Sequence, residues 1–379
     1  MAKKKSKAKK FNAALAVVLA IVCLFVGVVG GYFGYLTVTA PTETEVYTAG
    51  SLSVHFLELG NKYTGDCTYI KAGDTDILID GGSKVNDKVN SVTTISQYLD
   101  DFVTDGKLEY VIVTHAHEDH YAAFATNIDV DSIFDLYECE TIIDFALTNQ
   151  KQDEDKDGDG FGENKYSDYL RERNDEINAG AKHYTAAQCI EQNMAEFKLS
   201  ETATLKILDQ KFYYEKAETE NDYSVCVLIT EGENNFLFTG DLEEEGEESL
   251  VEMNDLPRVS VYKAGHHGSK TSSNEALMDA IRPEIVCVCC CAGSSEYKAK
   301  PENVFPSQPF VDRIAPYTDK VYVTTLCEDY DNNDFTSMNG NIIITYAFGE
   351  LTVYCSANET ILKDTEWFKK NRTCPEAWK

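Results

Sequence analysis

From Ser51 onward, apolar positions recur with two different periods. SVHFLEL, CTYIKAG, TDILIDGG and YVIVTH alternate or run continuously apolar over short lengths. So do TLKIL, SVCVLIT, NFLFTGD, RVSVYKAG, EIVCVCC, KVYVTT, NIIITYAF and ELTVYCS. Short apolar runs bounded by turn residues read as strands. KVNSVTTISQYLDDF, YSDYLRERNDEINAG, EEEGEESLVEM, SNEALMDAI and FVDRIAPY place their apolar residues at helical spacing. Strand hairpins interspersed with helices predict a layered α/β sandwich with its sheets inside. The AGAKHYTAAQ segment around His183 reads as a junction, and residues 356–379 read as a loosely packed polar tail with a few aromatics.

Before Ser51 the pattern changes. Residues 1–10 carry six lysines, and residues 11–36 carry no charge at all. An uncharged run of that length crosses a bilayer as a helix. The lysines hold its leading end in the cytoplasm, so the rest of the chain is expected outside the cell. A cleaved secretory signal fits less well, because the apolar stretch is too long for one and Pro41 makes a poor cleavage site. The expected order is therefore a basic tail (1–10), a single signal-anchor helix (11–36), a polar linker (37–50) and one domain (51–355) ahead of the tail.

The 379-residue chain has a net charge of −30, and its six leading lysines make the remainder more acidic still. Such a domain repels polyphosphates, which argues against a general nucleic-acid binder. Of twelve cysteines, Cys23 lies in the apolar segment, and Cys287, Cys289, Cys290 and Cys291 share one apolar run. That run reads as a buried strand filled with small thiols, and no repeated CxxC suggests a zinc knuckle.

An inserted acidic segment, about residues 151–165, spaces Asp153, Asp155, Asp157 and Asp159 by two, with glycines at 158 and 160. Alternating acids with a turn glycine suit calcium. The twelfth position, Asn164 or Tyr166 depending on the start, does not supply the bidentate glutamate of such loops.

The densest chemistry is in YVIVTHAHEDHYAAF. Three of the seven histidines, His115, His117 and His120, fall within six positions, with Asp119 beside them. An x-residue between His115 and His117 sends both rings to one side of an extended segment. Asp119 and His120 then turn toward a second ion, and two ions a few ångströms apart accommodate all four ligands better than one.

This HxHxDH pattern resembles the metallo-β-lactamase superfamily. TGD at Thr239 to Asp241, and HHGSK at His266 to Lys270, resemble the segments of its ComEC-like branch. Gly65–Asp66, Asp80–Gly81–Gly82 and NDYSVCVLI resemble that branch's opening and the strand before TGD. The resemblance runs from about Val54 to Tyr354. It implies an αββα sandwich holding two divalent metal ions, zinc or manganese. The implied ligands are His115, His117, Asp119, His120, bridging Asp241, and one or both of His266 and His267. Asp119, His267 and Lys270 are the implied catalytic groups, with Ser269 and Lys270 placed for an anionic oxygen.

The chain departs from the family in two places. His183 is its only histidine between HxHxDH and TGD, and Phe305 precedes Pro306 where relatives show His-Pro. His55 reads as packing. The expected activity is a membrane-anchored, extracellular phosphodiesterase, either a nuclease or a cell-wall phosphodiester esterase, with a small or wall-linked substrate favoured and DNA disfavoured by the acidic charge. A lactone-type hydrolase and a non-catalytic anchored binding protein are the alternatives.

Overall fold

The computed structural model describes residues 52–86, 89–125, 130–156, 158–296 and 300–379. The predicted anchor lies outside them, and among the described residues no helix is long and apolar enough to cross a membrane.

Two eight-stranded mixed sheets form the centre. Across the first, the order is Glu350–Cys355, Ile342–Ala347, Leu52–Phe56, Thr68–Ala72, Thr75–Ile79, Lys107–Val113, Glu138–Asp144, Lys182–Thr185. Across the second, it is Asp334–Ser337, Val321–Asp329, Ile285–Ala292, Val261–Lys263, Asn234–Phe238, Cys226–Glu231, Ala203–Leu208, Glu196–Lys198. Hairpin strands pair antiparallel, and strands joined through helices pair parallel: Thr75–Ile79, Lys107–Val113, Glu138–Asp144 and Lys182–Thr185 in one sheet. Asn234–Phe238, Val261–Lys263, Ile285–Ala292 and Val321–Asp329 are their counterparts in the other. In open α/β sheets, sites form beyond the carboxyl ends of parallel strands. The HxHxDH, TGD and HHGSK segments all leave such ends.

One apolar core joins residues of both sheets, including Val54, Phe56, Ile77, Ile112, Ile229 and Phe236. A second gathers Tyr262, Val286, Val288, Leu277 and Phe310, from the second sheet and its helices. Ile285–Ala292 is buried at every position, and every cysteine among the described residues is a free thiol. Buried thiols there act as small apolar side chains.

Two expectations are corrected. His183 lies on the edge strand Lys182–Thr185, and Ala186–Glu191 follows as a helix capped by Thr185, so this segment is regular structure rather than a junction. The tail is not loose: Leu362, Phe368 and Trp378 are buried in the second core. Three apolar side chains spaced along a polar segment give no periodic signal, yet they suffice to dock it.

Candidate metal centre

Four loops interlock at the carboxyl edge. Gly82 N–H donates to Asp66 O (3.0 Å), Asp66 N–H to Asp119 O (3.0 Å), and Gly81 N–H to His120 O (2.8 Å). A Cβ at Gly82 would sit 2.3 Å from the Asp119 carbonyl, and one at Gly65 would sit 2.2 Å from Gly82 O. Only glycine permits that approach. Val225 N–H donates to Thr114 O (2.9 Å), which fastens the second sheet to the histidine loop.

Beyond this frame the backbone is strained. His266 (φ 45°) and His267 (φ 54°), both non-glycine, lie in the left-handed region, as does Asp80 (φ 58°). Each costs roughly 1–2 kcal/mol, and such strain is concentrated at functional sites.

The strain aims side chains. His120 Nδ1 is 2.8 Å from Asp80 Oδ2, and Asp80 also accepts from Thr114 N–H (2.7 Å) and its hydroxyl (2.8 Å). His120 Nε2 then faces Asp241 Oδ1 at 3.2 Å. His267 Nδ1 donates to Cys289 O (2.9 Å), which leaves Nε2 3.2 Å from Asp241 Oδ2 and 3.5 Å from Asp119 Oδ2. His266 Nε2 is 3.8 Å from Asp241 Oδ2. His115 Nε2 and His117 Nδ1 are 3.0 Å apart, and the His115 and His120 ring centroids are 4.1 Å apart. His120, Asp241 and His267 therefore converge on one buried point, with His115, Asp119 and His266 beside them.

Electrostatics divides them. Burial, reinforced by His120 and His117, pushes the His115 pKa well below the ordinary range. For His120, burial lowers the pKa, but Asp241 and Asp80 outweigh it and raise it to about 10. His267 is likewise raised, by Asp241 and Asp66 against burial. Asp241 lies well below the ordinary carboxylate range, because His120, His267 and His266 overcome its burial.

These residues fit metal ions. His120 Nε2, His267 Nε2, Asp241 Oδ1 and Asp66 Oδ1 are buried with no hydrogen-bond partner. One ligand atom from each of the four residues lies within 4.8 Å of the others. Bond lengths of about 2.0–2.1 Å to a tetrahedral ion put neighbouring ligand atoms roughly 3.3 Å apart. The His120–Asp241 and His267–Asp241 separations of 3.2 Å match that spacing. Imidazoles whose far nitrogen is pinned by a carboxylate or carbonyl are the usual form of metal ligands.

Other named residues lie elsewhere. Lys270 is exposed, and its Nζ donates to Asn303 Oδ1 (3.1 Å). It lines a cavity of about 410 Å³ with Glu218, Asp222, Glu243, Glu244 and Glu245. Glu243 Oε1 is 3.3 Å from His266 Nδ1, so this acidic cavity adjoins the centre. Ser269 is buried, within reach of the Thr271 hydroxyl (3.1 Å). Phe305 covers the His266 and His267 rings at centroid distances of 5.8 and 6.0 Å. His183 Nε2 meets Asp144 Oδ1 (2.9 Å) instead of the cluster. His55 is packing, bonded to Tyr98 and Ser53, with burial lowering its pKa to about 3. In the acidic loop, Asp155 accepts from Gly158 and Gly160 N–H, Asp153 from Glu163 and Asn164 N–H, and Asp159 pairs with Arg171. Asp157 lies outside the described residues.

Sequence reasoning gave Asp66 and Lys263 no role. Lys263 is buried and pairs with Asp66. A lysine inside an alternating strand segment was the available signal, since unpaired buried lysine is rare.

Two mixed sheets with a buried His/Asp cluster on their carboxyl edge are the arrangement expected of a metallo-hydrolase. Residues 60–126 match the Metallo-beta-lactamase superfamily model. Recombination protein 2 of Haemophilus influenzae is 36% identical over 69 residues, which is 18% of this chain and 8% of that protein. ComE operon protein 3 of Bacillus subtilis is 28% identical over 103 residues, 26% of this chain and 13% of that protein. The matches thus span about a tenth of these relatives. The metallo-beta-lactamase fold protein YhfI from Bacillus subtilis aligns over 73% of this chain and 96% of its own, with 12% identity and a TM-score of 0.38. Over residues 60–126 the chain is thus similar to the metallo-β-lactamase superfamily, and over comparably short stretches to ComEC-like competence proteins.

Proposed function

We propose that the chain is a membrane-anchored, extracellular phosphodiesterase that hydrolyses a small or wall-linked phosphodiester. The observation that carries this reading is the set of orphaned, buried ligand atoms around Asp241. His115 and His117 would offer ring nitrogens to one divalent ion. Asp119, His120 and His267 would hold a second, and Asp241 would be shared by both. Two such ions, when bound, supply a hydroxide from a shared water near neutral pH. Asp119 orients the attacking oxygen from its place beside His267. Asp80 holds His120, and Cys289 O holds His267, so neither ring reorients as charge develops. Lys270 reaches over the adjoining cavity toward a substrate oxygen. Ser269 is buried against the Thr271 hydroxyl, with no base in hydrogen-bond contact among the described residues, which favours direct attack by water over a covalent intermediate.

The acidic cavity favours a small substrate. Five carboxylates beside the centre repel a polyanionic strand. The test uses the full chain loaded with zinc or manganese. Its substrates are bis-p-nitrophenyl phosphate, p-nitrophenyl phosphorylcholine, and labelled single- and double-stranded DNA. Metal-dependent cleavage of the small diesters, lost in Asp241→Ala and His117→Ala, is expected. Preference for DNA would replace the wall-esterase reading with the nuclease one. Metal uptake without turnover of any of them would move the reading to a lactone substrate or a binding protein.

A further inference from the structure

The two oxygens of Asp66 have different surroundings. Oδ2 is held by the Lys263 ammonium. Oδ1 lies 3.2 Å from His267 Nδ1, but that nitrogen's proton goes to Cys289 O at 2.9 Å, and Oδ1 is left buried without a donor. A buried acceptor without a partner is destabilising unless something binds it. The same residue contributes a ligand atom to the group that contains His120, Asp241 and His267.

We infer that Asp66 is a ligand of the second ion through Oδ1, while Lys263 holds Oδ2 and keeps the carboxylate one-handed. The assignment deepens the metal-centre reading and rests on it. It is consistent with charge. Asp66, Asp80, Asp119 and Asp241 bring four carboxylates to the centre, and Lys263 is 3.9 Å from Asp241 Oδ1 as well. Two divalent ions with one hydroxide leave three positive charges, and Lys263 supplies the fourth. Loss of Lys263 would leave one carboxylate unbalanced. Loss of Asp66 would leave the ammonium facing the ions.

The experiment titrates the full chain with Zn²⁺ against a chelating dye and records Co²⁺ absorption spectra. Wild type is expected to take up two ions. Asp66→Asn should keep one ion unchanged and bind the other roughly 10–100-fold more weakly, with an altered Co²⁺ spectrum for that ion. Lys263→Met should keep two ions, the second at least as tightly held. Undiminished binding in Asp66→Asn overturns the assignment. So does an equal loss in Lys263→Met, which would make the pair structural. Wild type that binds no ion overturns the metal-centre reading along with it. Should Asp66→Asn not fold, anomalous diffraction from zinc-loaded wild type decides. An ion about 2.0–2.2 Å from Asp66 Oδ1 supports the assignment, and one beyond about 3 Å removes it.

Discussion

His115 and His120 sit on one short loop with rings 4.1 Å apart, yet their electrostatic settings are opposite. His115 has the Thr114 and Ser224 hydroxyls at one nitrogen and His117 at the other. It has no hydrogen-bonded carboxylate, and burial keeps it neutral. His120 has Asp80 at one nitrogen and Asp241 at the other, and holds its proton to about pH 10. Position in the sequence did not decide this. Carboxylates from distant segments, Asp66, Asp80 and Asp241, collect on one side of the loop. His115 is ready for an ion at neutral pH, whereas in the carboxylate-rich half an ion must displace protons from His120 and His267.

The largest test of that division is Asp241, the residue both halves share. Asp241→Ala should weaken both ions by roughly 100-fold or more, at or beyond what outer-shell losses cost, as read by dye competition. If only one ion weakens, the bridge is wrong. His117→Ala should cut uptake from two ions to one and leave the second affinity within a few-fold. Loss of both would mean the halves do not bind independently. Smaller, but specific, is the pH profile. Affinity in the carboxylate-rich half should rise with pH toward about 10, with proton release visible as a buffer-dependent calorimetric heat. The nitrogen-rich half should show no such rise. Without metal, the sign is fixed by His120. Its folded pKa of about 10 exceeds the unfolded value of 6.5, so its stabilisation is complete below pH 6.5 and is lost as pH rises through about 10. Melting temperatures of metal-free wild type should fall across that window more steeply than those of His120→Gln.

The strands and helices were readable because their periodicity is local. So were His115, His117, Asp119 and His120, because a tight loop forces neighbours in sequence to be neighbours in space. The HHGSK pair was readable as a motif, but its aiming was not. His267 turns inward and His266 stays at the rim because both adopt left-handed backbone, which no pattern of side chains announces. Asp66 and Lys263 come from opposite sheets, and only the packing of the sandwich brings them together. The docking of Phe368 and Trp378 was hidden for a related reason. Isolated apolar residues in a polar segment gain meaning only from the surface that receives them.

The smallest expected effect concerns the histidine that stays away from the metals. His183 donates to Asp144, a fully buried carboxylate that Arg173 and the Tyr169 hydroxyl (3.0 Å) also hold. Because two partners remain, His183→Ala should cost only about 1 kcal/mol, the net worth of one hydrogen bond, measured by denaturant unfolding. Ion content and both affinities should be unchanged, because Asp144 and His183 belong to strands beyond the histidine loop. An ion lost in this variant would bring His183 into the nitrogen-rich half beside His115 and His117. The division between a nitrogen-rich and a carboxylate-rich half would then have to be redrawn around it.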